Sequence, residues 1–194
     1  MVIAQKQNRD MHHIVHLVNH RYARGGLSIP GLTAGPCLFK DGFFLVQDNP
    51  YADLITTSWK INESIPLVLL KIIAEHTPIQ NKTVLVLGTA FKPDTDDVRE
   101  SLSYKLLHAL HREHARVIAH DPHVTDSKTP VHGASPIPFI QKADIIIIAV
   151  KHTAYTRIKN KMRKYIRPNT YVCDIWNVFG MNRLLYTGKE LQKP

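Results

Sequence analysis

The sequence predicts an α/β protein in which a helical segment is followed by a doubly wound parallel sheet. Two observations carry this. Four short aliphatic segments in the second half alternate with amphipathic stretches of helical spacing, and the first third shows a period of three to four residues broken only by a glycine- and proline-rich loop. Continuous apolar strands, rather than alternating ones, imply a sheet buried on both faces by crossover helices.

In "DMHHIVHLVN", Met11, Ile14, Val15 and Val18 recur at helical spacing and predict an amphipathic helix. "RGGLSIPGLTAGP" then holds four glycines and two prolines in thirteen residues, so that helix cannot continue through it. From about Asp41 to His76 the helical period returns through Phe44, Leu45, Leu54, Ile55, Trp59 and Ile72, with Pro50 and Pro66 expected to start or kink helices. "KTVLVLG" is a first strand ended by Gly88, "SYKLLHALHREHA" a helix, and "RVIAHDP" a second strand closed by Asp121-Pro122. "ADIIIIAV" and "TYVCDI" are a third and a fourth strand, with a helix over 152–165 between them. A boundary falls at "HTPIQN", dividing a helical unit, 1–77, from an α/β unit, 78–194. The terminal "TGKELQKP" reads as frayed surface.

The composition is that of a globular protein, 44% hydrophobic and 21% charged over 194 residues. The longest aliphatic run, Ile145 to Val150, is too short to cross a bilayer, and the amino terminus has no signal-peptide pattern, so a cytoplasmic chain with no membrane partner is expected. A net charge of +9 favours an anionic partner. The Lys and Arg residues are dispersed, and "RIKNKMRKYIR" has no zinc-finger, RNP or helix-turn-helix pattern around it; phosphate on a small molecule fits the charge as well as nucleic acid does, charge alone does not choose between them, and no nucleic-acid partner is expected. Two cysteines, Cys37 and Cys173, make no disulfide framework. Of the twelve histidines, His12, His13 and His16 share one helix face, but they read as a solvated face and no metal is expected.

In an open parallel sheet, ligands sit beyond the carboxyl ends of the strands. The long polar loop after the first strand, "GTAFKPDTDDVRES", is therefore the expected binding loop. It lacks the GxGxxG dinucleotide fingerprint, having only Gly88, and Asp121 reads as a capping or turn residue rather than a ribose acid. Lys92 and Arg99 offer cations for phosphate or carboxylate, and Phe91 an apolar surface for a base. A second reading stands beside this one: a solvated loop in which Asp96, Asp97 and Arg99 pair locally and Ser101 caps the next helix. Cys37 also reads two ways. It could be an ordinary core thiol, or a nucleophile lying before a helix with Lys40 one turn on and Asp41 able to orient a water or proton carrier.

Two segments bring in a family resemblance. "PGLTAGPCLFKD" resembles the glycine-rich cysteine loop of the UDP-glucose/GDP-mannose dehydrogenase family, and "VLVLGTAFKPDTDDVRES" resembles its later G-x-x-F-K-x-x-[TS]-x-D-x-R-x-S signature. "ADIIIIAVKHTAY" and "DIWN" fall where that family has its last two strands, so the resemblance covers nearly the whole chain. It implies a partial dimerisation domain followed by a Rossmann-like domain that binds a UDP-sugar. It also implies oxidation of the sugar 6-hydroxymethyl to a carboxylate by NAD, through a cysteine thiohemiacetal and thioester, for polysaccharide precursor synthesis. By the same resemblance Cys37 is the nucleophile, Asp41 positions water or a proton, and Lys40 and Arg99 approach the cofactor. Phe91 and Lys92 would hold the substrate nucleotide, and Arg24, with Arg21 beside it, would serve a partner subunit's sugar.

The chain departs from the family pattern in reading A-G-P-C at the cysteine and Trp176 in "DIWN", where many members have arginine. It also carries neither the amino-terminal NAD-binding domain nor the lysine–asparagine helix after it, and Asn62, beyond the cysteine, cannot replace that asparagine. The expectation is a truncated carboxy-terminal portion, inactive alone, that works as a homodimer or with a separately encoded amino-terminal half. A non-catalytic nucleotide-sugar-binding or dimerisation module, or a remnant, is the alternative.

Overall fold

The computed structural model describes residues 1–193 other than 8, 48, 50, 125–130 and 133–134, with 131–132 described in backbone only. The expectation for Pro50 lies outside the described residues. In chain order the first unit holds α1 (Val2–Lys6), α2 (Met11–Asn19), α3 (Pro36–Val46) and α4 (Asp53–Ala74). The second holds β1 (Thr83–Leu87), α5 (Leu102–Arg112), β2 (Arg116–Asp121), β3 (Val131–His132), α6 (Ile137–Ile140), β4 (Ile145–Ile148), α7 (Thr153–Tyr165), β5 (Tyr171–Asp174), β6 (Leu185–Thr187) and α8 (Gly188–Leu191).

The strand order is β3-β2-β1-β4-β5-β6. All neighbouring pairs are parallel except β5 with β6. Because side chains alternate across a strand, each strand feeds two cores. Val84, Val86, Ile145 and Ile147 face one core with α4 and α5, while Leu85, Leu87, Ile146 and Ile148 face the other with α6, α7 and α8. Burial on both faces explains the unbroken aliphatic composition of these strands. The chain runs from β1 to β2 on one side and returns to β4 on the other, so a crevice opens at the carboxyl ends of β1 and β4.

Several expectations need correction. Pro66 does not start a helix: α4 runs from Asp53 to Ala74 with Pro66 buried inside it. Leu69, Leu70, Ile72 and Ile73 are buried in the sheet core beyond it, and that burial outweighs the one backbone hydrogen bond a proline removes. The second half of α4 thus packs on α5 and shares the α/β core. The segment 185–191 is not frayed. Leu185–Thr187 form an antiparallel edge strand, and Thr187 and Glu190 make a reciprocal capping box at α8, whose Leu191 is buried.

Candidate functional site

Cys37 lies inside a helix rather than before one. Gly35 is the N-cap of α3 and Pro36 its first residue, a position where the missing N–H costs nothing, so Cys37 sits in the first turn near the unpaired backbone N–H groups. Its thiol is exposed. Asp41, four residues on, lies on the same face, and both line a largely apolar cleft of about 760 Å³ between α3 and α4 that also includes Leu38, Trp59 and Asn62. Lys40 is exposed on the same helix. Asn62 Nδ2 donates to the Thr33 carbonyl at 2.7 Å, tying the cysteine loop to α4.

Two aromatic rings fasten this loop to the α/β unit. A Cβ at Gly31 would come within 2.1 Å of the Trp176 ring, and one at Gly35 within 2.9 Å of the Phe91 ring. Gly35 also has φ +128°, which side chains rarely adopt. Trp176 is held in turn by its indole N–H, which donates to the Ala149 carbonyl at 2.8 Å. The fold thus joins the two segments that the sequence analysis singled out, 30–41 and 84–101.

Within the second segment, Phe91 N–H closes the loop on the Asp97 carbonyl at 2.9 Å, and Lys92 Nζ lies 5.3 Å from the centroid of the Phe91 ring. Arg99 is paired locally: its Nε and Nη2 donate to the Asp97 carboxylate at 3.0 and 2.6 Å, and its backbone N–H donates to the same group. Side-chain and then backbone hydrogen bonds from Arg99 lower the Asp97 carboxyl to about 2. The same pairing raises the Arg99 guanidinium, and the nearby Cys37 adds a smaller electrostatic contribution in that direction. Ser101 caps α5, accepting from Ser103 N–H at 3.2 Å. Arg99 is therefore locally paired with Asp97. Arg24 lies exposed in the segment between α2 and α3 and has no hydrogen-bond or ion-pair partner among the described residues.

Asp121 is fully buried and saturated. One oxygen accepts from the N–H groups of Thr89, at 2.6 Å, and Ala90, and from His152 Nε2 at 3.0 Å; the other accepts from the N–H groups of His123 and Val124. Burial by itself would raise its carboxyl, but the bonds from His152, Thr89 and His123 outweigh that and hold it well below the usual range. Asp121 therefore pins the binding loop to the end of β2. His152 was missed in the sequence, because nothing there shows that a histidine after β4 meets an aspartate after β2.

An open sheet of order 3-2-1-4-5 with a long polar loop at its switch point, and an exposed cysteine held against that loop, defines a nucleotide-binding α/β unit joined to a thiol-bearing helical one. The sequence model of the UDP-glucose/GDP-mannose dehydrogenase family, UDP binding domain, matches residues 85–181, and the chain belongs to that family. It is 27% identical to the UDP-N-acetyl-D-mannosamine dehydrogenase of Methanocaldococcus jannaschii over 95% of its own length and 43% of that protein. It also resembles the solved UDP-N-acetyl-mannosamine dehydrogenase of S. aureus, with TM-score 0.69 and 25% identity over 84% of this chain and 39% of that one. The fold is similar to that of the UDP-D-ManNAc dehydrogenase from Pyrococcus horikoshii, with TM-score 0.73 and 24% identity over 86% of this chain and 40% of that one. The chain spans less than half the length of the curated relatives it matches.

Proposed function

We propose that this chain supplies the thiol and the nucleotide-binding unit of an NAD-dependent UDP-sugar 6-dehydrogenase. The contact of Gly35 with Phe91 carries this reading, because it places Cys37 beside the loop of the UDP-binding unit. Phe91 and Lys92 would hold the nucleotide, the ring offering a face and the ammonium a charge for diphosphate. Cys37, exposed in the first turn of α3, would add to a sugar C6 aldehyde to give a thiohemiacetal. At the acyl stage Asp41, one helical turn away in the same cleft, would accept a proton from the water that cleaves the thioester.

A nicotinamide dinucleotide does not fit the α/β unit of this chain. The turn after β1 has Gly88 alone, and Asp121, where a ribose-binding acid would stand, has no accessible surface and spends both oxygens inside the protein. The reading therefore assigns this chain no redox step, and by itself it would not turn over. Lys40 and Arg99 would face a cofactor carried on a separately encoded amino-terminal half, and Arg24 a partner subunit's sugar. Exposed apolar residues on α3 and α4, including Phe44 and Leu54, support a homodimer or such a half as partner. Among the described residues no helix is long and apolar enough to cross a membrane; the role would be a cytoplasmic one in making polysaccharide precursors.

A non-catalytic UDP-sugar-binding module is the second reading, favoured by the poor fit of the dinucleotide. Calorimetry with UDP tests what the two share: binding is expected and should weaken on Lys92→Ala, while unchanged affinity would sink that assignment. Mixing the chain with an amino-terminal half, NAD and a panel of UDP-sugars separates them. Oxidation that Cys37→Ser abolishes supports the enzyme, and UDP binding without oxidation supports the module.

A further inference from the structure

Three loops at the carboxyl edge of the sheet bring together Asp94, His123 and His152, which are far apart in the chain. One ligand atom of each lies within 4.8 Å of the others. Asp94 Oδ1 is 3.5 Å from His123 Nε2 and 3.8 Å from His152 Nδ1. Ligands about 2.1 Å from a tetrahedral ion stand about 3.4 Å from one another, so these separations are near those such an ion imposes.

The surroundings of the three side chains are as informative as the distances. His152 is buried, and its Nε2–H donates to the Asp121 carboxylate at 3.0 Å, which fixes the ring as the tautomer whose Nδ1 lone pair faces Asp94 and His123. The other oxygen of Asp121 accepts the backbone N–H of His123, so one buried carboxylate orients the His152 ring and holds the backbone at His123. The Asp94 carboxylate is oriented in its turn by Thr153, whose backbone N–H donates to Oδ1 at 2.8 Å. What occupies the His152 Nδ1 lone pair is the backbone N–H of Asp94, at 3.0 Å, which an entering ion would displace. Asp94 is exposed, so water can take up that N–H.

We propose that Asp94, His123 and His152 form a binding site for one divalent transition-metal ion of the zinc class, completed by water. Two imidazoles and one carboxylate suit Zn²⁺, Co²⁺ or Ni²⁺ and are a poor set for Mg²⁺ or Ca²⁺, which prefer oxygen. The ion would clasp the loop bearing Phe91 and Lys92 to the ends of β2 and β4. The site is separate from the Cys37 cleft and does not depend on the nucleotide reading.

The test uses the whole chain, stripped of metal with a chelator and titrated without nucleotide. Zn²⁺ should bind at one equivalent and raise the melting temperature, and Co²⁺ should give the visible bands of a tetrahedral site. His123→Ala and, separately, Asp94→Asn, both at exposed positions, should each weaken Zn²⁺ binding by about tenfold or more. The double variant H12A/H16A, which removes the helical histidine pair, should leave it unchanged. No saturable binding, or binding that survives His123→Ala and is lost in H12A/H16A, would overturn the proposal.

Discussion

Gly35 lies against the ring of Phe91, so that a Cβ at residue 35 would stand 2.9 Å from the ring. This contact joins the cysteine helix to the loop at the switch point, and it exists only because residue 35 has no side chain. Gly35→Ala should cost about 1–3 kcal/mol in urea unfolding, since it must both displace the ring and strain a positive φ. Phe91→Ala in the same chain should restore part of that loss; an additive double variant would mean that the ring is not what Gly35 meets.

The two thiols differ in access and in environment. Cys173 is fully buried in β5, and burial first, then the neighbouring Asp174, pushes its thiol far up, while Cys37 is exposed on the first turn of α3. Alkylation near neutral pH should label Cys37 alone in the folded chain and both thiols in denaturant. Equal rates in the folded chain would contradict the difference in access between the two thiols.

Asp121 makes the loop 88–101 sensitive to acid. Its folded carboxyl titrates below the ordinary value of about 3.9, so its stabilisation is complete above that value and is lost as the pH falls below it. The wild-type chain should therefore lose stability progressively below about pH 4. Asp121→Asn should be destabilised by about 2 kcal/mol or more at neutral pH and show a shallower acid transition. Parallel acid transitions in the two proteins would refute this role.

Leu191, on the last short helix, is 1% exposed and packs in the core that faces α7. Leu191→Ala should cost about 2–4 kcal/mol, measured by chemical denaturation. A loss below about 0.5 kcal/mol, the size expected of a surface change, would mean that the terminus frays.

Dinucleotide binding tests the fit argued for the α/β unit. NAD should bind weakly or not at all in calorimetry of the chain alone, because Asp121 cannot turn outward without breaking the bonds that hold the loop. Tight binding would require a site elsewhere in the chain.

The sheet was legible because Val84–Leu87 and Ile145–Ile148 are continuous apolar runs, a pattern that few structures other than a strand buried on both faces accommodate. The helices α5 and α7 were legible from their spacing. What escaped was short or polar. β6 and α8 are too brief to show a period, and their place depends on pairing with β5 and on the Thr187–Glu190 box. The loop 88–101 read equally well as a binding loop or as local ion pairing. Arg99 does pair with Asp97, and Phe91 of the same loop also meets Gly35, a contact no spacing encodes.

The sequence by itself determined the alternation of strands and helices, the loop at the switch point and the cysteine with its charged neighbours, since these follow from period and residue type over a few consecutive positions. Only the tertiary structure decided that Gly31 meets Trp176, that Gly35 meets Phe91, and that Asp121 locks His152 beside Asp94 and His123. Those contacts join strand ends and loops far apart in the chain. They are set by which strands become neighbours in the sheet, and local periodicity carries no information about that order.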